Sequence, residues 1–264
     1  MLTDAAFVQI RDIVYRACRI DLREGKRELV EARLKKRLRQ LGIDSYDDYL
    51  QFLEADASGA EMKHMLDVLT TNLTYFFRES DHFDYLAGHI RETSRNSSRI
   101  RVWSAGCSSG EEPYSMAMVL AETCNLSQLD CKILATDVST RMIDTARSGT
   151  YPQSKVKHVP PALLEKYFER LDGELCRVKP VLSNMVFFRH HNLAADWPMK
   201  GPFDAIFCRN VMIYFDRYTQ QEIVARFSRL LSPGGVLIVG HSESLAGIRH
   251  TLSYVQPSIY ANST

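Results

Sequence analysis

A pair of glutamates directly after a small-residue turn is the feature of this sequence with the clearest chemical meaning. Gly106 and Gly110 bracket the turn, and Glu111 and Glu112 open the apolar-periodic run that follows it. A strand, a glycine-bearing turn and a helix bring backbone N–H groups close to a ligand, as in nucleotide-binding α/β folds. Two carboxylates there would repel a pyrophosphate but suit an amine, hydroxyls or a cation. The sequence therefore predicts a site for a positively charged nucleoside, with one glutamate facing the ligand and the other facing solvent.

Polar residues also follow the other apolar stretches that are typical of buried strands. Asp137 ends the second stretch, Asn192 follows a later one, and Arg209-Asn210 and His241 follow two more. In open α/β sheets, ligands bind outside the carboxyl ends of the strands. Asp137 stands where such folds place an acid that binds two ribose hydroxyls, and we prefer that role to a helix cap because Ser139 can cap the next helix. These positions predict one nucleoside site at one edge of a sheet.

Other enzymatic interpretations have less support in the residues. His190-His191 has no third ligand at a suitable spacing, so we expect no metal. His241 lies beside Ser242 and Glu243, but the G-x-S-x-G turn of α/β-hydrolases is absent. The G-x-G-x-x-G fingerprint of nicotinamide dehydrogenases is absent too, and the paired glutamates argue against that class.

Composition limits the classes of partner. The chain has 264 residues, 45% of them hydrophobic, and a formal net charge of +1, so its overall charge favours neither nucleic acid nor a membrane surface. Its six cysteines form no C-x-x-C pair, the first twenty residues carry charges, and no apolar run approaches the ~18 residues of a membrane span. We expect a reduced, cytoplasmic protein that is not inserted in a membrane, binds no nucleic acid and is a monomer.

Charge is segregated along the chain although the total is nearly neutral. Lys26 to Arg39 contains seven basic and two acidic residues, whereas residues 40–72 contain seven acidic residues and one lysine. The usual role of such a basic run is a solvated surface, but its one-sided sign favours docking of an acidic partner. The candidate docking residues are Arg33, Lys35, Lys36, Arg37 and Arg39.

Hydrophobic periodicity divides the chain into a helical part and an alternating part. The predicted N-terminal helices span 3–20, 26–41, 45–55 and 60–69. Beyond them, apolar strands alternate with helices of 10–15 residues, which is typical of a parallel sheet covered by helices on both faces. Ser80, Ser139 and Thr219 are predicted helix caps, and Asp172-Gly173 predicts a two-residue turn in a hairpin over 169–181.

Five segments together resemble the CheR-type chemotaxis receptor methyltransferases, in order and over nearly the whole chain. They are Thr71–Arg78 (TNLTYFFR), Trp103–Tyr114 (WSAGCSSGEEPY), Ala135–Asp137 (ATD), Phe203–Phe215 (FDAIFCRNVMIYF) and Gly240–Glu243 (GHSE). The resemblance implies a helical N-terminal domain (1–71), a linker that contributes to the site (72–92) and a methyltransferase domain (93–264). The methyltransferase domain is expected to be a Rossmann-like α/β sheet with a small antiparallel β insertion at about 165–184.

By that resemblance the ligand is S-adenosylmethionine, whose sulfonium and ammonium account for the glutamates at the turn. The family pattern implies a set of cofactor-binding residues, with Asn72, Thr74 and Arg78 over the methionine portion, Gly106 in the turn, Glu111 or Glu112 near the amine, Asp137 on the ribose, Asn192 and Leu193 around the adenine, and Arg209 and Asn210 beneath the cofactor. It also places Tyr214 near the transferred methyl group. Arg78 and Tyr214 are the candidate catalytic residues.

The resemblance implies that the substrate is a glutamate side chain on the helical cytoplasmic bundle of a chemoreceptor, which becomes a methyl ester. A glutamate carboxylate is already ionised at pH 7, so it needs no general base. We expect Arg78 to steer this carboxylate and Tyr214 to shape the pocket. Family members that tether to a receptor's C-terminal pentapeptide have a longer, glycine-bracketed loop in the β insertion. Here the turn is only Leu171–Gly173, so we expect no tethering.

Two alternatives stay open at this stage. A nucleic-acid methyltransferase would account for the basic helix, although the [DN]-P-P-[YFW] signature of amino-methylating enzymes is absent. A non-catalytic module that senses S-adenosylmethionine, or binds another nucleoside, would account for the turn and the strand-end acids. The presence of both Arg78 and Tyr214 counts against it.

Overall fold

The N-terminal part of the chain is a group of four helices with its own core. In the computed structural model, which describes residues 1–263, these helices are α1 (Asp4–Cys18), α2 (Arg27–Leu41), α3 (Tyr46–Ala55) and α4 (Ala60–Leu69). Thr3 caps α1 by accepting a hydrogen bond from the Ala6 N–H, and Gly42 ends α2 with a φ of 68°, as expected for a left-handed cap. The apolar faces of these helices, including Ile10 and Leu34, form one buried cluster.

The rest of the chain is built on a seven-stranded sheet with the order β6-β2-β1-β7-β8-β10-β9. Its strands are β1 (Arg99–Ala105), β2 (Asp130–Asp137), β6 (Val186–His190), β7 (Phe203–Cys208), β8 (Leu231–Val239), β9 (Ser253–Gln256) and β10 (Ile259–Ala261). The first five in this list pair in parallel, which confirms the predicted parallel sheet. The antiparallel edge formed by β9 and β10 was not predicted. Those two strands are three or four residues long, and β9 is exposed along its length, so neither has a hydrophobic period.

Helices cover both faces of this sheet. Those that pack against its strands are α5 (Asp81–Thr93), α6 (Glu111–Thr123), α7 (Thr140–Ser148) and α11 (Arg217–Leu230). The short helices α8 (Gln153–Val156) and α9 (Pro161–Tyr167) pack against a second, smaller sheet, and α10 (Pro180–Ser183) packs against α6. Successive side chains of a strand point to opposite faces. Accordingly, Val102 of β1 belongs to the core cluster that contains Leu86 of α5, while Trp103 belongs to the cluster that contains Phe227 of α11. No helix among residues 1–263 has both the length and the apolar character that crossing a membrane requires.

A second, three-stranded antiparallel sheet with the order β3-β5-β4 forms the small insertion. It comprises β3 (Thr150–Pro152), β4 (Phe168–Leu171) and β5 (Leu175–Val178). The hairpin between β4 and β5 was expected, but the two-residue turn was wrong. Leu171 pairs with Leu175, so the loop has three residues, and both Gly173 and Glu174 have positive φ. The third strand, β3, is too short to have been recognised.

The predicted helix caps had different outcomes. Ser139 accepts a hydrogen bond from the Met142 N–H and caps α7, as expected. Thr219 was wrong as the cap of α11, because Asp216 stands three residues earlier and accepts from the Thr219 N–H at 2.7 Å. Ser80 precedes α5, but its side chain makes no capping hydrogen bond.

Candidate functional site

A cavity of about 390 Å³ lies at the carboxyl ends of the parallel strands, between the sheet and the helical N-terminal part. Residues from both parts line it, including Leu22 and Leu29 from the N-terminal side. The cavity brings together all the predicted cofactor and catalytic residues except Glu111. These are Asn72, Thr74, Arg78, Gly106, Glu112, Asp137, Asn192, Leu193, Arg209, Asn210 and Tyr214.

The two glutamates after the turn have separate surroundings. Glu112 lines the cavity, accepting a hydrogen bond from Ser104 Oγ at 2.7 Å and lying 3.2 Å from Arg209 Nη1. Glu111 is fully buried away from the cavity, where Ser109 Oγ donates to it at 2.6 Å and Lys155 Nζ lies 3.4 Å away. The expectation that the second glutamate faces solvent was therefore wrong. Burial raises the pKa of Glu112, although Arg209 and Ser104 oppose that shift.

The turn between β1 and α6 depends on glycine at one position above all. Gly106 has a φ of 103°, and a Cβ atom there would lie 2.3 Å from Cγ2 of Val211. A side chain at this position would therefore meet both an unfavourable backbone conformation and a steric clash. The glycine keeps this wall of the cavity open beside the backbone.

Asp137 is positioned by the backbone on two sides. Its Oδ2 accepts from the Ser108 N–H at 2.8 Å and its Oδ1 accepts from the Ser139 N–H at 2.9 Å, so it joins the turn after β1 to the start of α7. It is 8% exposed and lines the cavity. Burial raises its pKa, although the two backbone N–H groups oppose the shift.

Arg209 is the buried cation of the site. Its side chain is 1% exposed and lies 3.1 Å from Glu79 Oε2 and 3.2 Å from Glu112 Oε2, between two carboxylates. Its Nη2 also donates to the carbonyl oxygen of Arg78, so it holds the segment that carries that residue. Burial alone would raise the pKa of Glu79, but Arg209 and the hydrogen bond from the His241 N–H outweigh it, and the net shift is downward.

The segment before α5 is held over the cavity by contacts with the turn after β1 and with α6. Ser108 Oγ donates to the carbonyl oxygen of Asn72 at 3.2 Å, and the Phe77 N–H donates to Ser115 Oγ at 3.0 Å. The Arg78 guanidinium donates to the carbonyl oxygen of Leu73 at 2.8 Å. That hydrogen bond bends the Arg78 side chain back along its own segment.

Hydrogen bonds also join the N-terminal part to the cavity wall. Asn192 Nδ2 donates to the carbonyl oxygen of Ala17 at 2.8 Å, and the Asp21 N–H donates to the carbonyl oxygen of Tyr214 at 2.8 Å. Ile20 forms an isolated antiparallel bridge with Phe215 beside them. The amide of Asn192 thus has a structural contact as well as its place in the cavity lining.

The five candidate docking residues of α2 divide into two groups. Arg33 donates to the carbonyl oxygen of Leu69 at 2.7 Å, and Arg37 forms a two-bond ion pair with the buried Glu61. These two guanidinium groups are occupied inside the helical part of the chain. The other three, Lys35, Lys36 and Arg39, are exposed.

Sequence analysis did not identify Glu79 and Glu243 as site residues, although both lie in or beside the quoted segments. Glu79 follows Arg78 directly. Glu243 accepts from the N–H groups of Asn210 and Gly240, each at 2.7 Å, and from that of Ile213 at 3.2 Å. It thereby holds Asn210, whose φ is 59°, in a left-handed turn at the end of β7. A carboxylate within a short polar segment at a strand end was the available signal.

Comparisons with known proteins agree on one family. Residues 5–70 match the model described as CheR methyltransferase, all-alpha domain, and residues 72–261 match CheR methyltransferase, SAM binding domain. The chain is 45% identical over 266 residues to the chemotaxis protein methyltransferase of Escherichia coli (strain K12), covering 99% of this chain and 92% of that protein. The same-named protein of Salmonella typhimurium is 44% identical, with coverages of 99% and 91%. That of Borreliella burgdorferi is 40% identical, with coverages of 94% and 90%.

Proposed function

This chain belongs to the CheR methyltransferase family and uses S-adenosylmethionine, and we propose that it transfers the methyl group to glutamate side chains on the cytoplasmic helices of chemoreceptors. The product on the receptor is a glutamate methyl ester, and the expected role is adaptation in chemosensory signalling.

One observation carries this proposal: the cavity combines inward carboxylates with an arginine at the segment that covers it. Glu112 and Asp137 line the cavity, and Arg78 lines it from the segment before α5. A cofactor with a sulfonium and an ammonium is attracted by the two carboxylates. An incoming glutamate is attracted by the guanidinium. The two reactants have opposite charges, and so do the groups that receive them.

The reaction needs alignment more than it needs proton transfer. A carboxylate oxygen of the receptor glutamate attacks the methyl carbon, a C–O bond forms, and the C–S bond breaks with its electron pair going to sulfur. S-Adenosylhomocysteine leaves as a neutral thioether at that sulfur. Because an anion and a cation combine, charge is dispersed, so positioning and exclusion of water supply most of the rate.

Arg78 and Tyr214 have complementary parts in this proposal. Arg78 swings from the carbonyl oxygen of Leu73 to the substrate carboxylate, and Tyr214 shapes the wall near the methyl group. Tyr214 belongs to the short 3₁₀ helix Met212–Tyr214, and its carbonyl oxygen is held by the Asp21 N–H. The backbone of Tyr214 is thus held from the N-terminal side, and neither residue exchanges a proton with the substrate.

The exposed basic residues of α2, namely Lys35, Lys36 and Arg39, attract the glutamate-rich methylation region of the receptor. Arg33 and Arg37 support the helix from within and take no part in docking. The turn between β4 and β5 has only three residues, so activity does not depend on the receptor's C-terminal pentapeptide.

The test is transfer of tritium from methyl-labelled S-adenosylmethionine to receptor membranes, with volatile counts released by base as the readout. A panel of receptors, each with and without its C-terminal pentapeptide, identifies both the substrate and the tail dependence. The control is a receptor whose methylation-region glutamates are replaced by glutamine. Label that resists base, or label that persists in the control, would contradict a glutamate ester. Loss of activity on every tail-less receptor would contradict only the tail-independent part.

A further inference from the structure

Three side chains that could hold a metal ion meet next to the segment that carries Arg78, and the carboxylate of Asp81 lies beside them. We name the group Glu79, Asp81, His82 and His241 the His82 cluster. One donor atom from each of Glu79, His82 and His241 lies within 4.8 Å of the others. Asp81 Oδ2 lies 3.0 Å from His241 Nε2 and 4.0 Å from His82 Nε2, so a second carboxylate borders the same space.

His82 has no hydrogen-bond partner for either ring nitrogen, although its side chain is completely buried. The nearest acidic oxygen is Glu79 Oε2, 3.4 Å from Nδ1. The imidazole ring packs edge-to-face against that of His241, with centroids 4.7 Å apart. A buried polar ring without a partner is costly, so an unpaired imidazole aimed at other donor groups indicates that a ligand completes it.

We propose that the His82 cluster binds a divalent transition-metal ion of the zinc class. Two imidazoles and one carboxylate are donors that Zn²⁺ accepts, at distances of about 2.0–2.2 Å in tetrahedral geometry, and water takes the fourth position where a site has three protein ligands. Ligands of such an ion lie roughly 3.4 Å from one another by that geometry. One donor atom from each of Glu79, His82 and His241 lies within 4.8 Å of the others, so small side-chain rotations bring the three to that spacing.

The charges and exposure of the cluster suit an ion that enters from solvent. The side chains of Asp81 and His241 are 58% and 50% exposed, which leaves a path to the buried His82. Arg209 already uses Glu79 Oε2, but Oε1 has only a 3.5 Å contact with Asn210 Nδ2 and retains lone pairs for an ion. The carboxylates of Glu79 and Asp81 both lie beside His82, so an incoming cation meets two negative charges.

A metal here would join the residues that directly follow Arg78 to the turn after β8. Glu79 and His82 belong to the first of these regions and His241 to the second. In this structure the direct links between them are the hydrogen bond from the His241 N–H to Glu79 at 3.2 Å and the contact of His241 with Asp81. Metal binding therefore stabilises the folded state, whether or not the cofactor is present.

The test is titration of tag-free protein with ZnCl₂ by calorimetry, followed by the absorption spectrum with CoCl₂ as a reporter of geometry. We expect one ion per chain, an intense tetrahedral cobalt band and a higher melting temperature. Removing a residue that only hydrogen-bonds to a metal ligand weakens metal binding by about 10- to 100-fold, and removing a ligand itself should cost at least as much. We therefore expect His241→Ala to weaken zinc binding roughly 100-fold. The matched control is His64→Ala, which removes another exposed histidine from α4.

The variants also guard against misfolding as the cause of lost binding. His241 is half exposed, so its removal should leave the circular-dichroism spectrum and the metal-free melting temperature unchanged. Asp81→Ala, at another exposed side chain, tests the contribution of the neighbouring carboxylate. Failure of the wild-type protein to bind zinc would overturn the proposal. Equal affinity in the wild type and His241→Ala, or a thiolate-to-cobalt absorption band that indicates cysteine ligation, would overturn it as well.

Discussion

Replacing Glu112 by glutamine should weaken cofactor binding through loss of one charge. The carboxylate lines the cavity and is held by Ser104 Oγ and Arg209. A hydrogen bond to a charged group is worth about 1.5–3 kcal/mol, more than one between neutral groups. Losing it to the cofactor ammonium should raise the Kd for S-adenosylmethionine roughly 10- to 150-fold. We expect the lower end of that range, because Arg209 already shares the charge of Glu112.

The assay is calorimetry with three ligands. S-Adenosylmethionine and S-adenosylhomocysteine both carry the ammonium, and methylthioadenosine lacks it. If Glu112 binds the ammonium, the glutamine variant loses affinity for the first two equally and keeps its affinity for the third. A larger loss for S-adenosylmethionine than for S-adenosylhomocysteine would mean that Glu112 senses the sulfonium instead.

Glu111→Gln is the matched control, because it removes the neighbouring carboxylate from a site away from the cavity. Its affinity for S-adenosylmethionine should stay within about twofold of wild type, as expected for independent positions. Thermal unfolding should show whatever stability Glu111 contributes through Ser109 and Lys155. Equal loss of affinity in the two variants, or loss of methylthioadenosine binding with Glu112→Gln, would refute the assignment.

Three further predictions concern the covering segment, the exposed surface of α2 and the buried carboxylates. Arg78→Ala should lower kcat about 100-fold, as a misaligned substrate does, with little change in the calorimetric Kd for the cofactor. Lys36→Glu combined with Arg39→Glu should lower kcat/KM for receptor roughly tenfold at low salt, with the difference shrinking as salt is added. The pKa values of Glu112 and Asp137 are raised by burial, so affinity for the cationic cofactor should fall as the pH is lowered through them. The pH dependence of stability has the opposite sign. Protonation of these two carboxyls in the folded state stabilises the free protein below the raised pKa values, and that contribution is lost as the pH rises through them. Urea unfolding at a series of pH values measures it.

Controls separate these outcomes from general damage. Lys63→Glu replaces an exposed basic residue of α4 and lowers the net charge by as much as either single substitution in α2. An equal effect of this variant on kcat/KM would contradict docking through α2. Equal losses of kcat and cofactor affinity with Arg78→Ala would make that residue a cofactor ligand only. A pH dependence of cofactor binding that persists unchanged in Glu112→Gln would assign it to other groups.

The sequence predicted the parts of the site that depend on strand ends. Asp137 and Arg209 directly follow or end apolar stretches, and parallel strands bring those positions to one edge whatever the details of packing. The sequence could not predict which of Glu111 and Glu112 faces the cavity. Both lie in the first turn of α6, and side chains one residue apart on a helix point in directions that differ by about 100°. Only the phase of α6 against the sheet decides which of the two faces the cavity.

The residues that were missed depend on pairings across long stretches of chain. Glu79 meets Arg209 at a sequence separation of 130 residues, and nothing local in either segment indicates that contact. The same reason explains β9 and β10, since their pairing with β8 comes from tertiary position and not from an alternating pattern. Arg33 and Arg37 were expected to be docking residues, but their partners at Leu69 and Glu61 lie in another helix, far from α2 in the sequence.

The bridge between Ile20 and Phe215 has a consequence for how the protein is made. The residues around Ile20 that line the cavity are synthesised early, and Phe215, with which Ile20 pairs, is synthesised almost two hundred residues later. During that interval the N-terminal helices can form their own core, but the surface around Ile20 has nothing to close against. Closing so long a loop is slow relative to local folding. The cavity is therefore completed, and able to hold the cofactor, only when the segments around Ile20 and Phe215 have been brought together.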